Sequence, residues 1–272
     1  MKIFIDTANL DEIKEANSWG IIDGVTTNPS LIKKAIEELK RKGENFNMYS
    51  YILEIFKTVS CEEKKPVSLE VISSDHDGMK REAGVLYSFF GNYNIVVKIP
   101  INTSLPGEDN NDALKTIRKL NSSGMNVNCT LIMTPEQALL AAKAGAKYVS
   151  PFSGRIDDSL RKKQKKDFKK EDYFDAEQRK IDDNGIYSGV ELIRKTRKIL
   201  DNYGFKTQII ASSIRNARQA REVAEAGTDI ATLPFYVIKE MTRHSLTQEG
   251  MKKFLDDVVA EYRDLFEKDD YG

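Results

Sequence analysis

The chain has 272 residues, 40% of them hydrophobic, with 42 basic and 42 acidic side chains. That length suits one α/β barrel, and the balanced charge leaves no footprint for nucleic acid or an anionic membrane as a partner. There is no run of ~18 apolar residues for a membrane span. Cys61 and Cys129, like His76 and His244, are too few and too scattered for a disulfide framework or a metal site.

Residues 2–6 read as a strand, entered at once and without a signal pattern, so a cytoplasmic location is expected. A helix over 10–19 follows, then a strand over 24–27 and a helix that opens at Pro29 and runs to about 42. Apolar spacing predicts another helix over 45–60. Next come a strand over 66–72, a helix over 76–90, a strand over 95–100, a turn-rich loop, and a helix over 112–121. A strand over 126–132 leads to Thr134-Pro135-Glu136-Gln137, a capping box with proline at the first helical position. Its helix stops at Gly145, and a strand covers 147–152. Helix over 187–203, strand over 207–212, helix over 215–226, strand over 230–233 and a short helix over 235–243 complete the alternation. A long amphipathic helix is expected at the C-terminus, about 247–268.

Eight strands, each followed by a helix, are the count of a (β/α)8 barrel, read as a single domain over 1–272. A doubly wound sheet is disfavoured, because Asp6-Thr7-Ala8-Asn9 stands where a glycine-rich phosphate loop belongs. One segment, about 158–184, breaks the rhythm with a run of charge. It reads either as a solvated insertion or as a lid over the barrel mouth.

Barrel chemistry sits at the C-terminal ends of the strands. Those ends carry Asp6, then Thr26, Thr27 and Asn28, then Glu70, Lys98, Asn128 with Thr130, Ser150 with Arg155, and Ser212, Ser213 and Arg215. Strand parity puts Val96 with Lys98 on the inner face and Val97 with Ile99 on the outer one. A lysine in the apolar run I-V-V-K-I-P either snorkels to water or serves as a nucleophilic amine that forms an imine with a ketone. In the second reading Asp6 takes the proton of the hydroxyl whose loss breaks a carbon–carbon bond, and Glu70 with Thr130 holds a water. Asn28 and Asn128 bind substrate hydroxyls, and Arg155, Ser213 and Arg215 bind a phosphate. The lesser alternatives are that Asp6 only caps the helix near Leu10 and that Glu70 is only a structural partner of Lys98.

Several segments resemble the transaldolases, in particular the small-subunit branch that also contains fructose-6-phosphate aldolase. They are F-I-D-T-A-N, G-V-T-T-N-P-S-L-I, V-V-K-I-P, N-C-T-L-I, A-G-A-K-Y-V-S-P-F-S-G-R-I-D, A-S-S-I-R and I-A-T-L-P, from Lys2 to about Phe266. The resemblance implies a class I aldolase-type barrel with Lys98 as the Schiff-base lysine, Asp6 as the acid/base group, and Glu70 and Thr130 on the catalytic water. It makes Thr26, Asn28, Asn128, Ser150 and Phe152 substrate contacts, and Arg155, Ser213 and Arg215 the phosphate site. Glu70 and Phe152 look like the transaldolase state, since the aldolase branch typically carries Gln and Tyr there. No metal or organic cofactor is implied. A ring-shaped homo-oligomer such as a pentamer or decamer is, with the last helix on a neighbour.

The expected activity is transfer of a dihydroxyacetone unit in the pentose phosphate pathway. It runs between fructose 6-phosphate or sedoheptulose 7-phosphate and erythrose 4-phosphate or glyceraldehyde 3-phosphate. The alternative is aldol cleavage of the fructose-6-phosphate aldolase type, and a remote one is a non-catalytic sugar-phosphate binder. The insertion after Arg155 and the loop 102–111 after Lys98 are longer than the small branch usually carries.

Overall fold

In the computed structural model of the chain, residues 1–60, 64–105, 107–164, 169–173 and 182–267 are described. Cys61, residues 165–168 and 174–181 of the charged segment, and the last five residues lie outside them. Eight parallel strands close into a barrel in sequence order. The strands and helices are β1 (Lys2–Asp6), α1 (Leu10–Ser18), β2 (Gly24–Thr26), α2 (Pro29–Arg41), α3 (Met48–Val59), β3 (Val67–Glu70), α4 (His76–Phe90), β4 (Ile95–Pro100), α5 (Asp112–Ser122), β5 (Val127–Ile132), α6 (Pro135–Ala144), β6 (Tyr148–Pro151), α7 (Ser153–Lys163), α8 (Gly189–Asn202), β7 (Gln208–Ala211), α9 (Ala217–Glu225), β8 (Ile230–Leu233), α10 (Phe235–Met241), α11 (Ser245–Asp256) and α12 (Ala260–Glu267).

The helices begin where side chains accept their free N–H groups. Asn9, Asn28, Asn47, Asp75, Ser188 and Asn216 each cap one, and Thr134 with Gln137 forms the expected capping box. Alternation along the strands divides the apolar residues between two cores. Val25, Val97, Ile99, Cys129 and Ala211 face outward to the helices. Phe4, Val96, Tyr148, Ile210 and Ile230 fill the barrel interior and form a floor beneath its polar upper end.

The structure departs from expectation in two places. The segment read as an insertion from about 158 starts inside α7, because Ile156 and Leu160 give that helix a buried stripe that packs with Ile186 and Leu192. Charge along the rest of the run masks the periodicity. The expected final helix is two helices, α11 and α12, separated at Asp257, Val258 and Val259, where β-branched residues of low helix propensity follow a C-cap. Both expose large apolar side chains, among them Met251, Phe254, Leu255, Tyr262, Leu265 and Phe266. Among the described residues no helix is long and apolar enough to cross a membrane.

Three helices meet on one buried carboxyl. Asp157 of α7 accepts from the Gly189 N–H that opens α8 (2.7 Å) and from Gln219 Nε2 of α9 (2.8 Å). Burial pushes its pKa up to about 7 against the hydrogen bond from Gly189 and the pull of Arg161, and Asp158 and Glu222 add to the rise. The folded state therefore holds this proton to a higher pH than the unfolded chain does. Its stabilising contribution is full below about pH 4 and is lost as pH rises to about 7. We expect wild-type stability measured by urea titration to fall by about 2 kcal/mol from this group between roughly pH 5 and 7. Asp157→Asn is less stable at low pH, having lost the acceptor for Gln219, but it lacks that slope. An unchanged slope in the variant would reject the assignment.

Candidate active site

The polar strand ends open into a cavity of ≈ 1090 Å³ at the C-terminal face of the barrel. Lys98 projects from β4 into its wall and is 3% exposed. Its Nζ donates to the Thr27 carbonyl at 2.9 Å and stands 3.2 Å from Glu70 Oε2. Strand pairing produces this arrangement. Lys98 is register partner to Glu70 on β3 and to Asn128 on β5. The Thr27 hydroxyl donates to the Ser68 carbonyl (2.8 Å), fixing the carbonyl-bearing end of β2 beside β3. An ammonium taken out of water requires such partners.

Asp6 ends β1. It does not cap α1, since Asn9 Oδ1 accepts from the N–H groups of Asp11 and Glu12. The carboxylate is left to the cavity, where Thr26 Oγ1 donates to its Oδ1 at 2.7 Å. That commits the one hydroxyl hydrogen of Thr26, so Thr232 is the donor in the 2.5 Å Thr232–Thr26 contact. Burial raises the pKa of Asp6 above the ordinary carboxylate range, although Lys98, the Thr26 hydroxyl and Arg215 oppose the rise.

A second chain of polar groups runs behind the wall. Ser150 Oγ donates to Asn128 Oδ1 (2.7 Å), and Asn128 Nδ2 donates to Ser68 Oγ (3.3 Å). Thr130 is fully buried, and its hydroxyl has no hydrogen-bond partner among the described residues. Asn128 and Thr130 do not themselves line the cavity, whereas Asp6, Thr26, Asn28, Glu70, Lys98, Ser150, Phe152, Arg155, Ser213 and Arg215 do. Asn28 spends its Oδ1 on the Leu31 N–H as the α2 cap, which leaves its amide hydrogens for the cavity.

The cationic end is built on α7 and the β7–α9 loop. Arg155 lies over the Phe152 ring, 5.1 Å from its centroid. Arg215 Nη2 is 3.4 Å from Asp158 Oδ2, and its buried Nε has no hydrogen-bond partner among the described residues. Gly154 brings these groups together, because a Cβ there would overlap the Ser213 carbonyl oxygen and crowd Arg215 Nε. Ser213 is held at φ 63° to make that approach. The first turn of α7 has no side-chain cap; its Ser153 N–H donates to the Ser212 carbonyl (3.0 Å), and the N–H groups of Gly154 and Arg155 follow it beside the two guanidiniums, a set of donors of the kind that suits an anion.

Several cavity residues were not anticipated, among them Thr232, Tyr236 and Leu131. Thr232 follows from the β8 alternation that puts Ile230 inside, a signal present in the sequence. Tyr236, whose hydroxyl donates to the Arg215 carbonyl (3.1 Å), carries no sequence signal beyond its place after the last strand. Leu131 adopts φ 55° where the β5–β6 register shifts, which turns it toward the cavity next to the inward Thr130, and nothing in N-C-T-L-I announces it. Among the described residues no group of His, Cys, Asp and Glu is placed to hold a metal ion.

Residues 3–270 match the family model described as Transaldolase/Fructose-6-phosphate aldolase. A Caldicellulosiruptor saccharolyticus protein named "Probable transaldolase" is 44% identical over 94% of this chain and 96% of its own. Proteins of the same name from Thermoplasma acidophilum and Thermodesulfovibrio yellowstonii are each 42% identical, over 94% of this chain and 95% and 97% of theirs. With a barrel of this topology and a match along nearly its whole length, the chain belongs to the transaldolase/fructose-6-phosphate aldolase family.

Proposed function

We propose that the protein is a transaldolase that moves a dihydroxyacetone unit between sugar phosphates through an imine on Lys98. The observation that carries this reading is the buried Lys98 amine, held by the Thr27 carbonyl and Glu70 in the wall of a cavity that Asp6 also lines. In this reading the amine attacks the ketone carbon of the donor sugar, and water leaves as the imine forms. Asp6 takes the proton from the hydroxyl on the far side of the bond that breaks, the aldehyde departs, and the enamine stays on Lys98. Burial, which raises the pKa of Asp6, favours its holding that proton until it is passed back. The acceptor aldehyde then captures the enamine carbon, and hydrolysis frees the amine.

Glu70 and the Thr130 hydroxyl, which has no hydrogen-bond partner among the described residues, are suited to hold the water that leaves and returns. Asn28 and Ser150 face the sugar hydroxyls, with Asn128 orienting Ser150. Arg155, Ser213 and Arg215 take the phosphate. Glu70 and Phe152, in the states that resemble the transaldolase branch, support transfer over free release. The exposed apolar residues of α11 and α12 support a homo-oligomer through that face. Light scattering should give a mass that is a multiple of 30.9 kDa, and a monomer at assay concentration contradicts it.

The deciding assay follows fructose 6-phosphate turnover with and without erythrose 4-phosphate. Glyceraldehyde 3-phosphate release that requires the acceptor, together with formation of sedoheptulose 7-phosphate, is the expected result. Release of free dihydroxyacetone without acceptor moves the assignment to an aldolase. Borohydride should trap a covalent adduct on the wild type and none on Lys98→Ala, and a persistent adduct in the variant rejects the imine assignment. Asp6→Asn should lower turnover by at least about 100-fold. It should also raise the melting temperature near neutral pH, since a carboxylate with a raised folded pKa loses stability as pH climbs above about 4. That gain should vanish toward pH 4, and a variant less stable at pH 7 than at pH 4, relative to wild type, reverses the sign.

A further inference from the structure

Residues 169–173 belong to the charged segment that interrupts the βα rhythm, and they are tied down by a set of contacts out of proportion to a solvated turn. Arg161 of α7, 6% exposed, donates through Nη2 to the Asp172 carbonyl. Asn216, the cap of α9 and the neighbour of Arg215, donates through Nδ2 to the Glu171 carbonyl at 3.2 Å. The Tyr173 hydroxyl donates to Glu222 Oε1 (2.9 Å), and the Arg218 guanidinium covers the Tyr173 ring at 3.4 Å. Lys169 N–H donates to Asp172 Oδ2, closing the turn. Ordering a charged five-residue turn costs chain entropy, and committing a buried guanidinium to a backbone carbonyl costs solvation. The result of these costs is that Lys170 and Glu171 line the active-site cavity beside Arg155, Asp158 and Arg215.

Lys170 therefore joins Arg155, Arg215 and Lys162 in the cavity wall, where Asp158 and Glu171 also stand. Arg215 is partly neutralised by Asp158, whereas Lys170 and Lys162 of α7, which also lines the cavity, have no ion pair among the described residues. We propose that the tethered 169–173 strap is a specificity element that carries Lys170 to the phosphate group of the bound sugar, extending the site formed by Arg155, Ser213 and Arg215. It rests on the sugar-phosphate reading of the cavity and adds to it a residue outside the barrel strands and their capping helices. The strap favours ligands with a dianionic terminus over unphosphorylated ketoses and aldehydes of the same length. A lysine offers a flexible point charge, so it follows a phosphate whose position changes with sugar length, where the stiff guanidinium forks do not.

Calorimetric titration of wild type, Lys170→Ala, Lys170→Arg and Tyr173→Ala with fructose 6-phosphate and with inorganic phosphate tests this. Lys170→Ala should loosen both ligands by about tenfold, with Lys170→Arg within about twofold of wild type. Tyr173→Ala, which keeps Lys170 but removes the contacts of Tyr173 with Glu222 and Arg218 that help hold the strap, should shift affinity in the same direction as Lys170→Ala. Borohydride trapping of unphosphorylated dihydroxyacetone on Lys98 should have the same yield in all four proteins. Equal affinities in wild type and Lys170→Ala, or trapping that drops in Lys170→Ala, overturn the proposal. Loss of phosphate affinity in Lys170→Ala, with no trapped adduct even in wild type, keeps the anion site and overturns the imine reading instead.

Discussion

A single ammonium group in the wall of the barrel sets the terms for the rest of this structure. Burying Lys98 next to Val96 and between two packed strands is unfavourable unless hydrogen-bond and charge partners replace water. The replacements come from two other strands: the Thr27 carbonyl from the end of β2 and the Glu70 carboxylate from β3. Neither can be supplied by rotamer choice alone. Glu70 must be the register partner of Lys98, and the end of β2 must be pinned to β3, as the Thr27–Ser68 hydrogen bond does. A one-residue slip of β3 or β4 would turn the Glu70 or Lys98 side chain to the outer face. Val96, in the apolar floor with Phe4, Tyr148, Ile210 and Ile230, resists that slip in β4, because it would leave the interior together with Lys98.

On either side of the lysine the polar groups are organised as hydrogen-bonded chains rather than as isolated side chains. Thr232 to Thr26 to Asp6 is one, and Ser150 to Asn128 to Ser68 is the other. A chain leaves few unsatisfied atoms in a dry wall, so the few that remain are conspicuous, and Thr130 is among them. The same desolvation that raises Asp6 also raises Asp157 on α7, yet the two differ in use. Asp6 opens to the cavity. Asp157 is enclosed by the starts of α8 and α9, so its proton affects how firmly the helices are clasped.

Most of the barrel is legible in the sequence because its signals are local. Period-two apolar runs mark the strands, asparagine, serine or threonine marks most helix starts, and parity alone puts Lys98, Glu70 and Asp6 inside. What is not legible depends on contacts between distant segments. The helix α7 is hidden because its stripe is only Ile156 and Leu160, and its reward comes from Ile186 and Leu192 further along the chain. The break between α11 and α12 sits in a sequence whose hydrophobic pattern continues across it. Leu131 and Ser213 take left-handed backbone angles that their residue types do not favour. The ambiguity over Asp6 was resolved by Asn9, three residues on, which takes the capping duty.

The close contacts at the starts of α7 and α8 bear on how this barrel tolerates change. Gly154 lies against the Ser213 backbone, and Gly189 against the Ser153 carbonyl, leaving no room for a Cβ at either place. The chain between these two helices thus departs from and returns to fixed points, with Ile186 re-entering the core just before the second. Changes in that stretch reach the mouth of the barrel through Glu171, whose carbonyl accepts from Asn216 beside Arg215, rather than through the strands. Ligand preference at the mouth of the barrel is therefore open to revision by insertion, without disturbing the strand register that holds the lysine.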